Sequence, residues 1–282
     1  MTQGFLPRSL EELREVLAHH PGARPIAGGT DLMVVHADMR ATWPELMDVT
    51  RIPELNGVAR VSGGWRIGAA TPLTAVAVHP EIAARYPLLV EAAHVVGGWQ
   101  IQNRATLGGN MANASPAGDT LPALLALNAS VGLIGASGDR MVPYDDFHTG
   151  YRKTVLKPGE VIGWVELPEP GSGSVQRYRK VGTRAAQAIS KIVVALAGEF
   201  SAGAFTTVRL AAGSVAATPV RLRAAEAVCM EGPLTVERAT RAGQAASAEV
   251  TPIDDVRSTA TYRKEVLGRV VRRLLLSLSP EA

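Results

Sequence analysis

The sequence predicts an α+β molecule built in lobes, and three observations predict it. The first part of the chain mixes short strands with helices around two Gly-Gly turns. Glu169-Pro-Gly-Ser-Gly-Ser174 then reads as a linker. Beyond it, long strand text gives way to long helical text. With 282 residues, 46% of them hydrophobic and 20% charged, the chain can bury a sizeable core and is neither disordered nor fibrous. The expected domains are residues 1–168, in two lobes at about 1–50 and 51–168, and residues 175–282.

Taken in order, Ser9 and Glu12 form a capping box, and Leu10, Leu13 and Leu17 recur at helical spacing. His19-His20-Pro21-Gly22 ends that helix, where the two histidines suit its negative end. A short strand closes at Pro25-Ile26-Ala27, and after a glycine pair Thr30 to Met39 reads as a helix capped by Thr30 or Asp31. His36 on that helix reads as a partly exposed residue and not as a ligand. Leu46–Val49, Val58–Val61 and Trp65–Ile67 read as strands, punctuated by Asn56-Gly57 and Gly63-Gly64. Helical text resumes at Pro72–Val78, and a glycine-rich passage from Val96 to Asp119 leads into apolar Leu121–Leu127. Strands follow at Val131–Ile134 and Val161–Leu167.

Past the linker, Arg177–Gly182, Ala188–Phe200 and Thr207–Ser214 read as strands, and Arg221–Met230, Thr235–Ala248 and Thr259–Leu278 as helices. The last helix gathers Val266, Leu267, Val270, Val271, Leu274 and Leu275 into an apolar stripe. Arg263, Lys264, Arg269, Arg272 and Arg273 fall to its solvated remainder.

Several functions are excluded at this level. A formal net charge of +3, without a basic stripe, does not call for nucleic acid. One cysteine, Cys229, cannot close an intramolecular disulfide or ligate zinc or an iron–sulfur cluster, so any cluster must sit on another chain. The first residues lack the pattern of a signal peptide, and the longest apolar stretch, Leu121–Ala136, is broken by Pro122 and Asn128 and is too short for a membrane span. A cytoplasmic protein is expected, in which the sequons at Asn113 and Asn128 carry no glycan.

The chemistry lies in the glycine turns. Ala27-Gly28-Gly29-Thr30-Asp31-Leu32 puts two residues without side chains where a strand ends and a helix begins, so that backbone amides can approach a phosphate. Taken alone, that pair fits an ordinary turn better than a phosphate site. Thr106-Leu-Gly-Gly-Asn110 repeats the arrangement, and Asn113, Ser115 and Asp119 add amide, hydroxyl and carboxylate groups suited to a diphosphate and a ribose. Two such turns favour a dinucleotide. Neither matches the Rossmann fingerprint, and no Gly-Lys-Ser/Thr ending marks a nucleoside triphosphate loop.

The passage Gln100-Ile-Gln-Asn-Arg-Ala-Thr-Leu-Gly-Gly-Asn-Met-Ala-Asn-Ala-Ser-Pro-Ala-Gly-Asp119 closely resembles the second flavin motif of the xanthine dehydrogenase, or molybdenum hydroxylase, family. Pro25 to Leu32 resembles the first motif, and Asp146 to Thr154 with Leu156 to Ile162 resembles the connecting segment. Tyr178 to Arg184 and Ala188 to Ser190 are similar to the stretch that passes over the flavin, and Asp254 to Arg257 with Tyr262-Arg263 fits the C-terminal domain. The resemblance spans nearly the whole chain.

It implies the two-lobed FAD-binding fold shared with vanillyl-alcohol oxidase, followed by a C-terminal domain of antiparallel sheet and helices. By position, Ala27, Gly28, Gly29, Thr30, Asp31 and Leu32 with Thr106, Gly108, Gly109 and Asn110 would hold the diphosphate. Asn113 and Asp119 would take the diphosphate and ribose end, Val96 and Ile162 the adenine or flavin surroundings, and Lys180 and Ile189 would sit by the flavin, Lys180 as a positive charge near the ring. Gly28-Gly29-Thr30-Asp31 stands where some relatives read Gly-Gly-His-Ser, so the FAD is expected to be non-covalent. Gln187-Ala188 replaces the acidic residues of animal xanthine dehydrogenases, and the cluster loop of 4-hydroxybenzoyl-CoA reductases is missing.

The resemblance further implies an electron-transfer oxidoreductase subunit without a catalytic acid or base of its own. Its partners would be a large molybdopterin-binding subunit and a small subunit with two 2Fe–2S clusters, arranged as a dimer of heterotrimers. Electrons would leave for NAD+ or another acceptor. A xanthine, purine or other N-heterocycle dehydrogenase is the first expectation. A carbon monoxide or aldehyde dehydrogenase medium subunit is the alternative, as is a stand-alone FAD-dependent reductase similar to UDP-N-acetylenolpyruvoylglucosamine reductase.

Overall fold

The structure is a computed structural model that describes residues 2–37 and 43–278. Strands β1 (Gln3–Phe5), β2 (Arg24–Ile26) and β3 (Glu45–Asp48) form a parallel sheet in the order β1-β3-β2. Parallel neighbours need crossovers, and helices α1 (Leu10–His19) and α2 (Leu32–Ala37) lie in them. The Ser9 hydroxyl accepts the Glu12 amide at 3.2 Å, and the Glu12 carboxylate accepts the Arg8 amide at 2.7 Å, so the cap forms with a shifted partner. Leu13 and Leu17 are buried with Met47, Ile52 and Leu55. Helix α2 is shorter than expected at its start, because Thr30 and Asp31 remain in the turn; its expected end at Met39 lies outside the described residues.

The second lobe opens with β4 (Val58–Val61) and β5 (Gly64–Gly68) and runs through six helices. These are α3 (Leu73–Val78), α4 (Pro80–Arg85), α5 (Pro87–His94), α6 (Trp99–Gln102), α7 (Leu107–Asn113) and α8 (Thr120–Ala126). Pro80 and Pro87 each start a helix, a position where the missing amide costs nothing. Strands β6 (Ser130–Gly135), β7 (Gly138–Pro143), the hairpin β8 (His148–Gly150) and β9 (Lys153–Thr154), and β10 (Glu160–Pro168) complete it. The antiparallel sheet runs β4-β5-β10-β6-β7. Every residue of α8 is buried, which explains an apolar run with no polar face.

The third unit is an antiparallel sheet of β11 (Ser174–Val181), β12 (Ile192–Ser201), β13 (Ala204–Gly213) and β14 (Val220–Arg221), in that order. Helices α9 (Arg223–Cys229), α10 (Val236–Glu249) and α11 (Ala260–Leu276) follow. Both faces of β12 are buried: Ile192, Val194 and Leu196 face the helices, whereas Val193, Ala195 and Ala197 pack on the second lobe. Residues 188–191, expected to be strand, are loop instead, closed by the Lys191 amide on the Val181 carbonyl at 2.8 Å. The linker is likewise a packed turn: a Cβ on Gly171 would lie 2.0 Å from a Glu199 carboxylate oxygen, and Ser174 already begins β11.

Arg263 is the clearest correction on α11. It is 3% exposed and not solvated, because it shares the stripe of Leu267 and Val271 at four-residue spacing. The seam between the third unit and the second lobe is hydrogen-bonded as well as apolar. The Tyr178 hydroxyl donates to the Asp119 carbonyl at 3.1 Å, the Gln176 amide to the Arg85 carbonyl at 2.7 Å, and the Ser214 amide to the Pro116 carbonyl at 2.8 Å.

Candidate functional site

The chain leaves β2 at Ile26 and turns through Ala27 to Asp31 into α2. Gly28 has no room for a side chain: a Cβ there would stand 1.7 Å from the Arg104 carbonyl oxygen. Gly29 has a φ of +72°, in the left-handed region that other residues adopt at a cost. The first turn therefore rests on the backbone of Arg104 and Ala105, immediately before the second turn begins at Thr106. The amides of Gly28, Gly29, Thr30 and Asp31 donate to no backbone carbonyl among the described residues, a run of donors open to an anion.

The second turn contributes differently from expectation. The Gly108 amide is bound to the Ala69 carbonyl at 3.0 Å, the Gly109 amide to the Thr106 hydroxyl at 3.0 Å and the Asn110 amide to the Thr106 carbonyl at 3.0 Å. Those amides start α7, and the groups left for a ligand are side chains. Asn110 accepts from the Thr120 hydroxyl at 2.6 Å, which leaves its amide nitrogen free to donate. Asn113 donates to the Asp31 carboxylate and accepts from Arg152 at 3.2 Å, tying the first turn, α7 and the β8–β9 hairpin together.

Asp119 and Lys180 form a pair whose side chains are 10% and 9% exposed, with Lys180 Nζ 2.8 Å from Asp119 Oδ2 and 2.9 Å from the Val95 carbonyl. Lys180 is thus a buried, paired group and not a solvated surface one, its charge compensated by Asp119. Burial pushes the Asp119 carboxyl up to about 6, against the pull of Lys180. The other oxygen, Asp119 Oδ1, is buried and has no hydrogen-bond partner.

A cleft of about 1100 Å³ opens at the meeting of these segments. Asp31, Val96, Asn110, Asn113, Asp119 and Ile189 line it. Ala27, Gly28, Gly29, Thr30 and Leu32 form the adjoining turn, which rests on Arg104 and Ala105; Thr106, Gly108 and Gly109 start α7 just beyond, with Gly108 against Ala69, and Lys180 lies behind Asp119. Ile162 lies in the core of the β10 strand, paired with Leu133, and is not on the cleft wall. The loop 182–191 reaches across, with the Gln187 amide on the Gly97 carbonyl at 3.2 Å. Ser214, Ile253, Asp255 and Arg263 also line the cleft, unforeseen as site residues. For Arg263 a signal existed in its spacing to Leu267; for Ser214 there was none.

FAD fits this set of residues. The open amides suit a diphosphate, the orphaned Asp119 oxygen suits a ribose hydroxyl, and Val96, Ile101 and Ile189 offer apolar walls to flat rings. Pockets for drug-sized ligands run to roughly 1,000 Å³, so a dinucleotide can be accommodated.

Residues 1–170 match the family described as the FAD binding domain in molybdopterin dehydrogenase, and residues 177–278 match the CO dehydrogenase flavoprotein C-terminal domain. The chain is an FAD-binding medium subunit of the molybdenum hydroxylase family. It is 31% identical over 274 residues to the carbon monoxide dehydrogenase medium chain of Hydrogenophaga pseudoflava, covering 95% of this chain and 94% of that one. It is 29% identical over 269 residues to the putative xanthine dehydrogenase FAD-binding subunit of Escherichia coli K12, covering 95% and 92%. A solved structure of carbon monoxide dehydrogenase from Hydrogenophaga pseudoflava, lacking the Mo-pyranopterin moiety, superposes with a TM-score of 0.92 at 32% identity, covering 96% of this chain and 95% of that one. The α+β fold of an FAD-binding domain and a C-terminal domain is thus shared by this subunit and that structure.

Two outcomes follow for the subunit. Gly28→Ala drives a methyl into the Arg104 carbonyl and parts the two turns, so FAD affinity is expected to fall by about tenfold or more in a flavin titration of the purified protein. An unchanged Kd contradicts the cradle. Lys180→Met removes the charge that holds the Asp119 carboxyl down, so its titration, followed by carboxylate infrared absorption, is expected to move above about 6. A folded-state pKa above the ordinary value means that stability is lost as pH rises through it. The thermal midpoint of Lys180→Met should therefore fall further behind the parent's as pH rises from about 6 towards neutral; parallel curves contradict the pairing.

Proposed function

We propose that this subunit carries electrons from iron–sulfur clusters on a small partner subunit, through non-covalently held FAD, to NAD+ or another acceptor. A large partner subunit holds the molybdenum cofactor and hydroxylates the substrate, a purine or other N-heterocycle, in a dimer of heterotrimers in the cytoplasm. The observation that carries the reading is a cleft of about 1100 Å³ fit for FAD in a chain whose described residues offer no site for a metal or cluster of its own. One cysteine, itself buried, cannot hold a cluster, and no group of three or more His, Cys, Asp or Glu residues is placed to bind a metal among the described residues.

Bound FAD supplies the redox chemistry. The chain's own residues bind, orient and shield it. The amides from Gly28 to Asp31 would take the diphosphate, Asn110 and Asn113 its flanks, and Asp119 a ribose hydroxyl, with Lys180 holding that carboxyl down against the push of burial. Val96, Ile101 and Ile189, which line the cleft, would exclude water from the ring faces. Thr30 and Asp31 offer no nucleophilic nitrogen for a covalent tether, in keeping with a dissociable flavin. Similar identity to a carbon monoxide dehydrogenase chain and to a putative xanthine dehydrogenase subunit supports a substrate choice made outside this chain.

Co-expression with neighbouring reading frames tests the proposal. The chain is expected to co-purify with a molybdenum-containing and an iron–sulfur subunit, and its flavin to bleach on adding the large subunit's substrate. The isolated chain should keep FAD without bleaching. An isolated chain that reduces a small molecule with NAD(P)H by itself contradicts the reading.

A further inference from the structure

Asp255 and Arg263 belong to a polar cluster that the flavin motifs leave unexplained. Arg263 rises from the first turn of α11 and is buried, yet it lines the cleft. Its Nη1 donates to the Lys191 carbonyl and to the Ser214 carbonyl, both at 2.8 Å, and its Nη2 donates to Asp255 Oδ1 at 2.7 Å. One planar guanidinium therefore holds the end of the 182–191 loop and the turn after β13 together.

The two carbonyls it grips lie beside two serines that reach onward. Ser190 is 1% exposed; its hydroxyl shares a 2.8 Å hydrogen bond with that of Ser214 and donates to the Ala117 carbonyl at 3.2 Å. The Ser214 amide donates to the Pro116 carbonyl at 2.8 Å. Ser214 has a φ of +65°, a left-handed conformation that a non-glycine residue keeps only when its surroundings hold it there. Arg263 on its carbonyl and Pro116 on its amide do so.

The anchor of the guanidinium is itself preset. Burial pushes the Asp255 carboxyl up, but the Arg257 amide and guanidinium, the Arg263 charge and the Ser258 amide outweigh it and hold the group at about 2. Asp255 is thus ionised throughout the working range.

We propose that Arg263, anchored by Asp255, is a positioning residue for the flavin: it fixes Ile189 and Ser190 against the Pro116–Asp119 segment, and so sets the C-terminal wall of the cleft. The inference rests on the reading of the cleft as the FAD site. Methionine at this position leaves the Lys191 and Ser214 carbonyls and the Asp255 carboxylate without their buried partner. Lysine restores the charge but cannot span three acceptors.

The test uses the assembled holoprotein carrying Arg263→Met, Arg263→Lys or Ser190→Ala, with Leu196→Ala, in the core on the helix side of β12, as a comparison of stability alone. In Arg263→Met the FAD dissociation rate is expected to rise about tenfold or more, with a shifted flavin reduction potential. Arg263→Lys should fall between it and the parent. Ser190→Ala, which leaves the guanidinium in place and cuts only the hydroxyl link, should move both readouts the same way by a smaller amount, and it decides the matter if Arg263→Met does not fold. Leu196→Ala should lower the thermal midpoint and leave both readouts at parental values. Variants at Arg263 and Ser190 that melt earlier yet keep the parental dissociation rate and potential overturn the proposal. A parent protein that binds no FAD overturns the flavin reading beneath it.

Discussion

The approach of Gly28 to the Arg104 carbonyl is the contact on which the rest of the site depends. No other residue allows the turn after β2 to rest on backbone there, since even a methyl would overlap the oxygen. The contact is one of several that join the small parallel sheet to the antiparallel lobe, and beside it the first turn's amides are left without backbone partners. The turn is half-buried at Gly28 to Thr30 and exposed at Asp31, so water or a ligand can take these donors. Their geometry, with the glycine contact that sets it, is what suits the turn to an anion.

The cleft owes its depth to the third unit. A sheet with one face on helices and the other on the second lobe brings the 182–191 loop and the turn after β13 to the rim. Alanines 195, 197 and 211 on the inner face let α8 come close, and Tyr178, Lys180 and Ser190 cross the seam to carbonyls and a carboxylate of the Pro116–Asp119 region. Packing and ligand geometry are therefore one problem here. The buried pair Asp119–Lys180 and the half-buried pair Asp255–Arg263 mark its two ends.

Much of this was legible in the residues. Period-2 and period-3.6 patterns located the longer central strands and the long helices, while the short strands β1, β8, β9 and β14 and the edge strand β7 went unread. What escaped was set by tertiary context. The run from Ala188 reads as one strand because burial on both faces erases alternation, and only the Lys191–Val181 bond shows where the loop stops. Pro80 and Pro87 start helices that a breaker reading conceals. The second turn's amides are occupied within α7, which spacing alone does not reveal, and Lys180 meets a carboxylate from a segment some sixty residues away in sequence. Arg263 could have been found from its four-residue spacing to Leu267, had a charged residue been allowed on the apolar stripe.

The most direct measurement is a crystal structure of the chain grown with FAD. Diphosphate oxygens are expected within about 3 Å of the amides between Gly28 and Asp31, with a ribose hydroxyl on Asp119 Oδ1. FAD bound with its diphosphate away from those amides, or those amides turned onto protein acceptors, contradicts the account.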